Sequence, residues 1–271
     1  MVTDNDSTLA TRIAAQKVAP NRVVAWWLGG SGFMLKTAAG ATILLDPYLS
    51  NSVQAGHGMG RAVPIPLDPA ILRPDVVIST HWHEDHLDPE TIPVIARNSS
   101  ETKFVMPPSA MGRAVGWGIA RSRITAMSWG DRTSVVGVDI EAVPARHDLG
   151  VLGWETPDAM GVILHSDGVT IYNSGDTEHD ARLRNLRGRR FDAAMVCING
   201  VTGNMDAHEA ALLVWQLGAH TVIPMHHVLW DRVPWPEETL APNLFAQTYK
   251  NLGGKGRIVL PEVGEAIVIG G

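Results

Sequence analysis

The strongest constraint on this chain is the stretch Val76-Val77-Ile78-Ser79-Thr80-His81-Trp82-His83-Glu84-Asp85-His86-Leu87-Asp88. A short β-branched run, the composition of a buried strand, breaks into a polar turn. Three imidazoles and two carboxylates, Glu84 and Asp85, fall between His81 and His86. Turn structure alone does not account for so many metal-ligand side chains. Imidazole together with carboxylate suits zinc, manganese or iron. Ligands this close are too crowded for one tetrahedral ion, because neighbouring side chains point in different directions. They suit two ions side by side, each completing its shell from distant sequence. The expectation is a fold in which other strands end on His or Asp beside this turn.

Three further segments meet that expectation. Each is an apolar strand ending in a ligand-type residue: 141–147 offers His147, 170–176 offers Asp176, and 222–227 offers His226 and His227. If the strands lie side by side, their ends converge at one edge, and loops on a rigid scaffold are the usual place for chemistry. Apolar spacing and Gly/Pro punctuation predict an antiparallel meander over 23–28, 33–37 and 41–45. Further strands are expected at 103–106, 124–127, 133–138, 139–144, 161–165, 168–172, 193–198, 221–225, 258–260 and 266–269. Helices are expected at 9–18, 89–97, 109–117 and 206–217, the last with Asp206 and Glu209 as a capping box. Residues 1–8 read as disordered. Two strand-and-helix halves of similar make-up predict a sandwich of two sheets with helices outside.

Composition excludes several classes. At 271 residues and 45% hydrophobic, one large domain is favoured. A net charge of −6 argues against a nucleic-acid partner. The single cysteine, Cys197, allows no intrachain disulfide, so nothing requires an oxidising compartment. The first residues lack a signal-peptide layout and no apolar run reaches membrane-span length. A cytoplasmic protein with no membrane partner is expected. Gly29-Gly30-Ser31-Gly32 lacks the Lys and following helix of a phosphate loop, and reads as a hairpin turn.

The pattern His81-x-His83-x-Asp85-His86, followed by distant His, Asp and His, resembles the metallo-β-lactamase superfamily. Within it the chain is similar to the L-ascorbate-6-phosphate lactonase-like family. The blocks that carry the likeness include Trp26-Trp27-Leu28-Gly29, Ser79-Thr80-His81, Gly116-Trp117-Gly118, Tyr172-Asn173-Ser174-Gly175-Asp176 and Val222-Ile223-Pro224-Met225-His226-His227. The resemblance implies an α/β fold, a four-layer αββα sandwich. A hydrolase domain over 23–271 would follow an N-terminal tail and short helix at 1–22. It also implies two divalent metal ions per chain, zinc or manganese, with iron allowed. His81, His83 and His147 would surround the first; Asp85, His86 and His226 the second; Asp176 would bridge them. His226 is favoured over His227 because the family's ligand directly follows the strand. Asp46 and Asp88 would orient ligand imidazoles.

Asp85 is the catalytic candidate, orienting a metal-bound hydroxide and carrying a proton. His227, His179 and His208 are candidates for the acid. Trp82, Trp230, Arg146 and His227 are candidates for the pocket lining, whereas His57, His165 and His220 read as ordinary. The expected reaction is opening of a small lactone or related ester. The alternatives are phosphodiester hydrolysis, phospholipase D-like or nuclease, and a non-catalytic metal-binding scaffold. The partner is expected to be a small molecule, an anionic one being allowed by Arg146. Members of the family often assemble, so a homo-oligomer is also allowed.

Overall fold

The computed structural model describes residues 5–147, 150, 152–201, 203–231 and 237–271. Helix α1 (Asn5–Ala15) precedes the meander β1 (Arg22–Gly29), β2 (Gly32–Thr37) and β3 (Thr42–Leu45). Then come α2 (Ser52–His57), β4 (Val76–Ile78), α3 (Thr91–Asn98), β5 (Lys103–Met106), α4 (Pro108–Gly116) and β6 (Ile124–Ala126). The second half runs β7 (Arg132–Val135), β8 (Val138–Pro144), β9 (Met160–Ser166), β10 (Val169–Asn173), β11 (Ala193–Cys197), α5 (Ala207–Leu217), β12 (Thr221–Met225), α6 (Glu237–Asn251) and β13 (Arg257–Ile258). The last strand, β14 (Ala266–Gly270), returns to the first sheet and pairs with β1.

The two sheets repeat one plan. One has the order β14-β1-β2-β3-β4-β5-β6, the other β13-β12-β11-β10-β9-β8-β7. In the first, β14 to β3 pair antiparallel and β3 to β6 parallel. In the second, β7 to β10 pair antiparallel and β10 to β13 parallel. Parallel neighbours bring several carboxyl ends to one edge, and in open α/β sheets that edge is where ligands bind.

Strand alternation makes the layers. Val23, Ala25 and Trp27 of β1 face a core shared with Ile140, Leu164, Ile171 and Ile223 of the other sheet. Val24, Trp26 and Leu28 face the opposite way, into a core with Ile92, Ile95 and Ala110 of α3 and α4. A third core joins Tyr172, Ala194 and Val222 to Leu213, Phe245 and Tyr249 of α5 and α6. Helices outside two packed sheets give the expected αββα sandwich. The Asp206–Glu209 capping box forms, and Gly218, at φ 65°, closes α5 in the left-handed conformation a C-terminal glycine supplies.

Several elements depart from expectation. Residues 1–4 of the expected disordered tail lie outside the described residues, and helix α1 already begins at Asn5. It ends at Ala15, where Lys36 Nζ caps the carbonyls of Ile13 and Ala14 at 2.9 and 2.8 Å. The expected strand over 133–138 instead breaks at Val136-Gly137, both at positive φ (51° and 75°), to form a tight hairpin. Helices α2 and α6 were not anticipated. No helix among the described residues is long and apolar enough to cross a membrane.

Candidate metal centre

The strand ends converge as the pattern required. β4 leads into the His81–Asp88 turn, β8 into His147, β10 into Asp176 and β12 into His226. Three combinations of these residues bring one ligand atom each to within 4.8 Å of one another: His81/His83/His147, His81/His86/Asp176 and Asp85/His86/His226. All are buried except Asp85, which is half-buried. Backbone strain gathers here. Asp46, His226 and Val228 have φ of 39°, 58° and 51°, a region non-glycine residues seldom adopt.

The partners on the far side of each ring decide what the near side can do. His83 Nε2 lies 3.1 Å from the Trp154 carbonyl, and His147 Nδ1 lies 2.8 Å from the Gly203 carbonyl. A carbonyl only accepts, so these nitrogens carry the protons. His86 Nδ1 lies 2.9 Å from the Asp46 carboxylate, again an acceptor. The Thr80 hydroxyl donates to Asp46 Oδ2 at 2.7 Å, so toward His81 Nδ1, 3.2 Å away, it can only accept. The rings of His81, His83 and His147 are thereby set with their other nitrogen as a lone pair. His81 Nε2, His83 Nδ1 and His147 Nε2 then point at one place, with His83 Nδ1 2.9 and 3.1 Å from the other two. No hydrogen remains to lie between them, and three lone pairs at that distance repel. A cation removes the conflict: nitrogens about 2.0–2.1 Å from a tetrahedral zinc lie roughly 3.3 Å apart.

The second group is charged. His86 Nε2 faces Asp176 at 3.4 Å and Asp85 at 3.7 Å, while His226 Nε2 faces both carboxylates at 3.3 Å. Burial lowers His86 and His226, but Asp176 and Asp85, with Asp46 for His86, outweigh it and hold both imidazoles well above their ordinary value. Burial raises Asp85 and Asp176, and the facing imidazoles outweigh it, so both stay ionised. At His81 and His83 burial dominates, seconded by like-charged neighbours; His81 falls well below the usual range and His83 to about 4. One pocket therefore presents inward-facing nitrogen lone pairs, the other two carboxylates balanced by cationic rings.

Asn204 Nδ2 donates to Asp176 Oδ2 at 2.8 Å and to Asn199 Oδ1 at 3.0 Å, and the Asn199 amide lies 3.0 Å from His226 Nδ1. Neither asparagine was anticipated, although Asn199 follows β11 as the ligand residues follow their strands. Asp88 does not orient an imidazole. It accepts from Leu49 N, Ser50 Oγ, Ser52 Oγ, Glu90 N and Thr91 Oγ1, and so ties the turn to the start of α2.

Above the cluster opens a cleft of about 180 Å³ whose walls include Val53, Met59, Trp154, Val201 and Trp230, with His57 and Glu84. Trp230 lines it as anticipated. Trp82 does not: it lies under the Arg113 guanidinium at 4.2 Å and donates to the Glu155 carbonyl at 2.9 Å. Arg146 pairs with Glu178 at 3.3 Å and does not line the cleft. His227 is buried against Trp27, His208 is exposed and bonded to Thr248, and His179 is not among the lining residues. His57, read as ordinary, does line it.

The beta-lactamase superfamily domain matches the sequence over residues 26–226. The chain belongs to that superfamily. Among curated relatives it is 27% identical to the probable L-ascorbate-6-phosphate lactonase UlaG of Escherichia coli, over 83% of this chain and 75% of that one. Among solved structures it is similar to Igni18, a metallo hydrolase from the archaeon Ignicoccus hospitalis, with a TM-score of 0.69, 22% identity, and 91% and 98% of the two chains covered. It is also similar to an isothiocyanate hydrolase from Delia radicum gut bacteria, with a TM-score of 0.70, 20% identity, and 90% and 98% covered. Family and cluster together define a hydrolase with a site able to bind metal.

Proposed function

We propose that this chain opens a small lactone or related ester with the help of two divalent metal ions. His81, His83 and His147 would hold one; Asp85, His86 and His226 the other; Asp176 would serve both. The observation that carries the reading is the fixed tautomers: His81, His83 and His147 are locked from behind so that their lone pairs face inward, while Asp46 holds His86 Nδ1 from behind. Zinc, manganese and iron all suit this mixture of nitrogen and oxygen donors. Such ions would supply a bound water of lowered pKa, about 7 on zinc, and would polarise a carbonyl oxygen.

The chain's own residues supply the rest. Asp85, held ionised and half-buried at the cleft floor, orients the attacking water and accepts its hydrogen bond. Apolar walls of Val53, Met59, Trp154, Val201 and Trp230 exclude bulk water from the carbonyl. The named relative is a lactonase, which supports carbonyl chemistry. A cytoplasmic setting and a small-molecule partner fit this reading.

The test is a panel of lactones, esters and phosphodiesters assayed with zinc and with manganese, alongside elemental analysis of protein purified without added metal. Lactone or ester turnover is expected, with close to two ions per chain. Turnover of a simple phosphodiester alone would overturn the substrate assignment. Bound metal with no turnover across the panel would make the protein a metal-dependent scaffold instead.

A further inference from the structure

The wall of the cleft holds an ionisable pair that the metal cluster does not use. His57, the last residue of α2, places Nε2 3.5 Å from Glu84 Oε2, and the two side chains are 33% and 31% exposed. Both line the cleft together with His83, Asp85, Asp176 and His226. The His57 ring meets Trp154 edge-on with centroids 5.0 Å apart, and Trp154 meets the His83 ring at 5.3 Å. One indole thus separates the pair from the three-histidine pocket.

The local structure is built to place it. Asp88 anchors Ser50 and Ser52 at the start of α2, on the same turn that carries Glu84. Gly58, at φ 71°, ends the helix directly behind His57. Glu84 engages one ring nitrogen, and among the described residues the other, Nδ1, has no partner. A carboxylate holding one nitrogen while the second faces the reaction is the division of labour by which a histidine carries protons in hydrolases.

Lactone opening and ester cleavage both break a C–O bond and leave an alkoxide, a strong base that departs poorly without a proton. We propose that His57 is the acid that protonates the leaving oxygen, with Glu84 orienting its ring and stabilising the imidazolium; this rests on the lactone or ester reading above. Water-derived oxygen adds to the carbonyl carbon. The C–O bond then breaks, its electron pair goes to the leaving oxygen, and the Nδ1–H proton passes to that oxygen. The neutral imidazole regains a proton from the water that supplies the next nucleophile, while Glu84 stays a carboxylate throughout.

The test separates leaving groups. Esters of one acid, from a nitrophenyl ester to a simple alkyl ester, and a matched lactone are assayed with metal-loaded unaltered enzyme, His57→Gln and Glu84→Gln. Nitrophenolate leaves without a proton; an alkoxide does not. His57→Gln is expected to lower kcat on the alkyl ester and lactone by about 10²-fold or more, and to spare the nitrophenyl ester. Glu84→Gln should show the same selectivity more weakly, and metal content should not change. The ratio of the two ester rates within one preparation is independent of the folded fraction, so partial misfolding of a variant does not obscure the result. Equal loss across leaving groups, or no loss, would overturn the proposal alone. No ester or lactone turnover by the unaltered enzyme would overturn the functional reading and this proposal with it.

Discussion

Asp46→Asn tests the proposed centre without touching a ligand. The Asp46 carboxylate is fully buried and accepts from Thr80 N at 2.7 Å, Thr80 Oγ1 at 2.7 Å and His86 Nδ1 at 2.9 Å. Asparagine keeps the shape and tolerates the positive φ of 39°. Its oxygen can still serve Thr80 N, but its NH₂ then faces His86 Nδ1–H, donor against donor. When it gives up one proton to take a metal, His86 would keep the other on Nε2, where Asp176 and Asp85 accept it. That nitrogen is then lost to a metal. Restoring the lone pair means leaving a buried donor unsatisfied, at about 1–3 kcal/mol, or roughly 5- to 150-fold in affinity. This agrees with the roughly 10–100-fold loss usual when the partner behind a ligand histidine is removed. The pocket containing His86 should be affected most. Competition against a chromophoric chelator would measure the affinity, and nitrogen NMR of the imidazoles would read the tautomer. An Asp46→Asn protein that binds both ions as before, or whose His86 keeps its proton on Nδ1, would refute the reasoning.

Asp85→Asn should keep the ion of the three-histidine pocket and lower kcat by about 10²–10⁴-fold, whereas a scaffold would change only in metal content; steady-state kinetics with elemental analysis decides between them. Gly175→Ala should be damaging, because at φ 56° an added Cβ meets the Met160 carbonyl and Thr80 Cβ, both at 2.9 Å. Left-handed strain and overpacking together cost about 2–5 kcal/mol, and the shift reaches Asp176 next door, so both the urea midpoint and metal affinity should fall. His227 is buried, and burial, then the His226 charge, lowers it to about 4. Its folded-state value is depressed, so its contribution is fully present above about 6.5 and is lost as pH falls toward about 4, up to about 3 kcal/mol. His227→Phe should therefore lose less stability than the unaltered protein across that window; parallel urea curves at its two ends would contradict this.

Residues that follow a strand were legible because the strand positions them. β4, β8, β10 and β12 are each followed within three residues by a ligand-type side chain, and pairing those strands in two sheets left little freedom in where His81, His147, Asp176 and His226 could go. What escaped comes from segments placed by tertiary contact. α6 carries Pro242 inside it, which masks the helical signal of Ala241, Phe245 and Tyr249. The Val136-Gly137 turn puts a β-branched residue at positive φ, where local propensity argues against one. Trp154 reaches the cleft through a backbone bond to His83, and Asn199 and Asn204 through bonds to His226 and Asp176, so no periodicity marks them.

His57 is the most instructive case. α2 is too short to show a helical period, and an isolated histidine in it carries no signal. Its position depends on Asp88, which looked like a partner for an imidazole and is instead the anchor for Leu49, Ser50 and Ser52. The turn that supplies the metal-type ligands thus also holds, through its last carboxylate, the helix that brings His57 to Glu84. The cleft wall and the cluster floor are therefore coupled parts of one loop, and a change at Asp88 should disturb the leaving-group selectivity before it disturbs the three-histidine pocket.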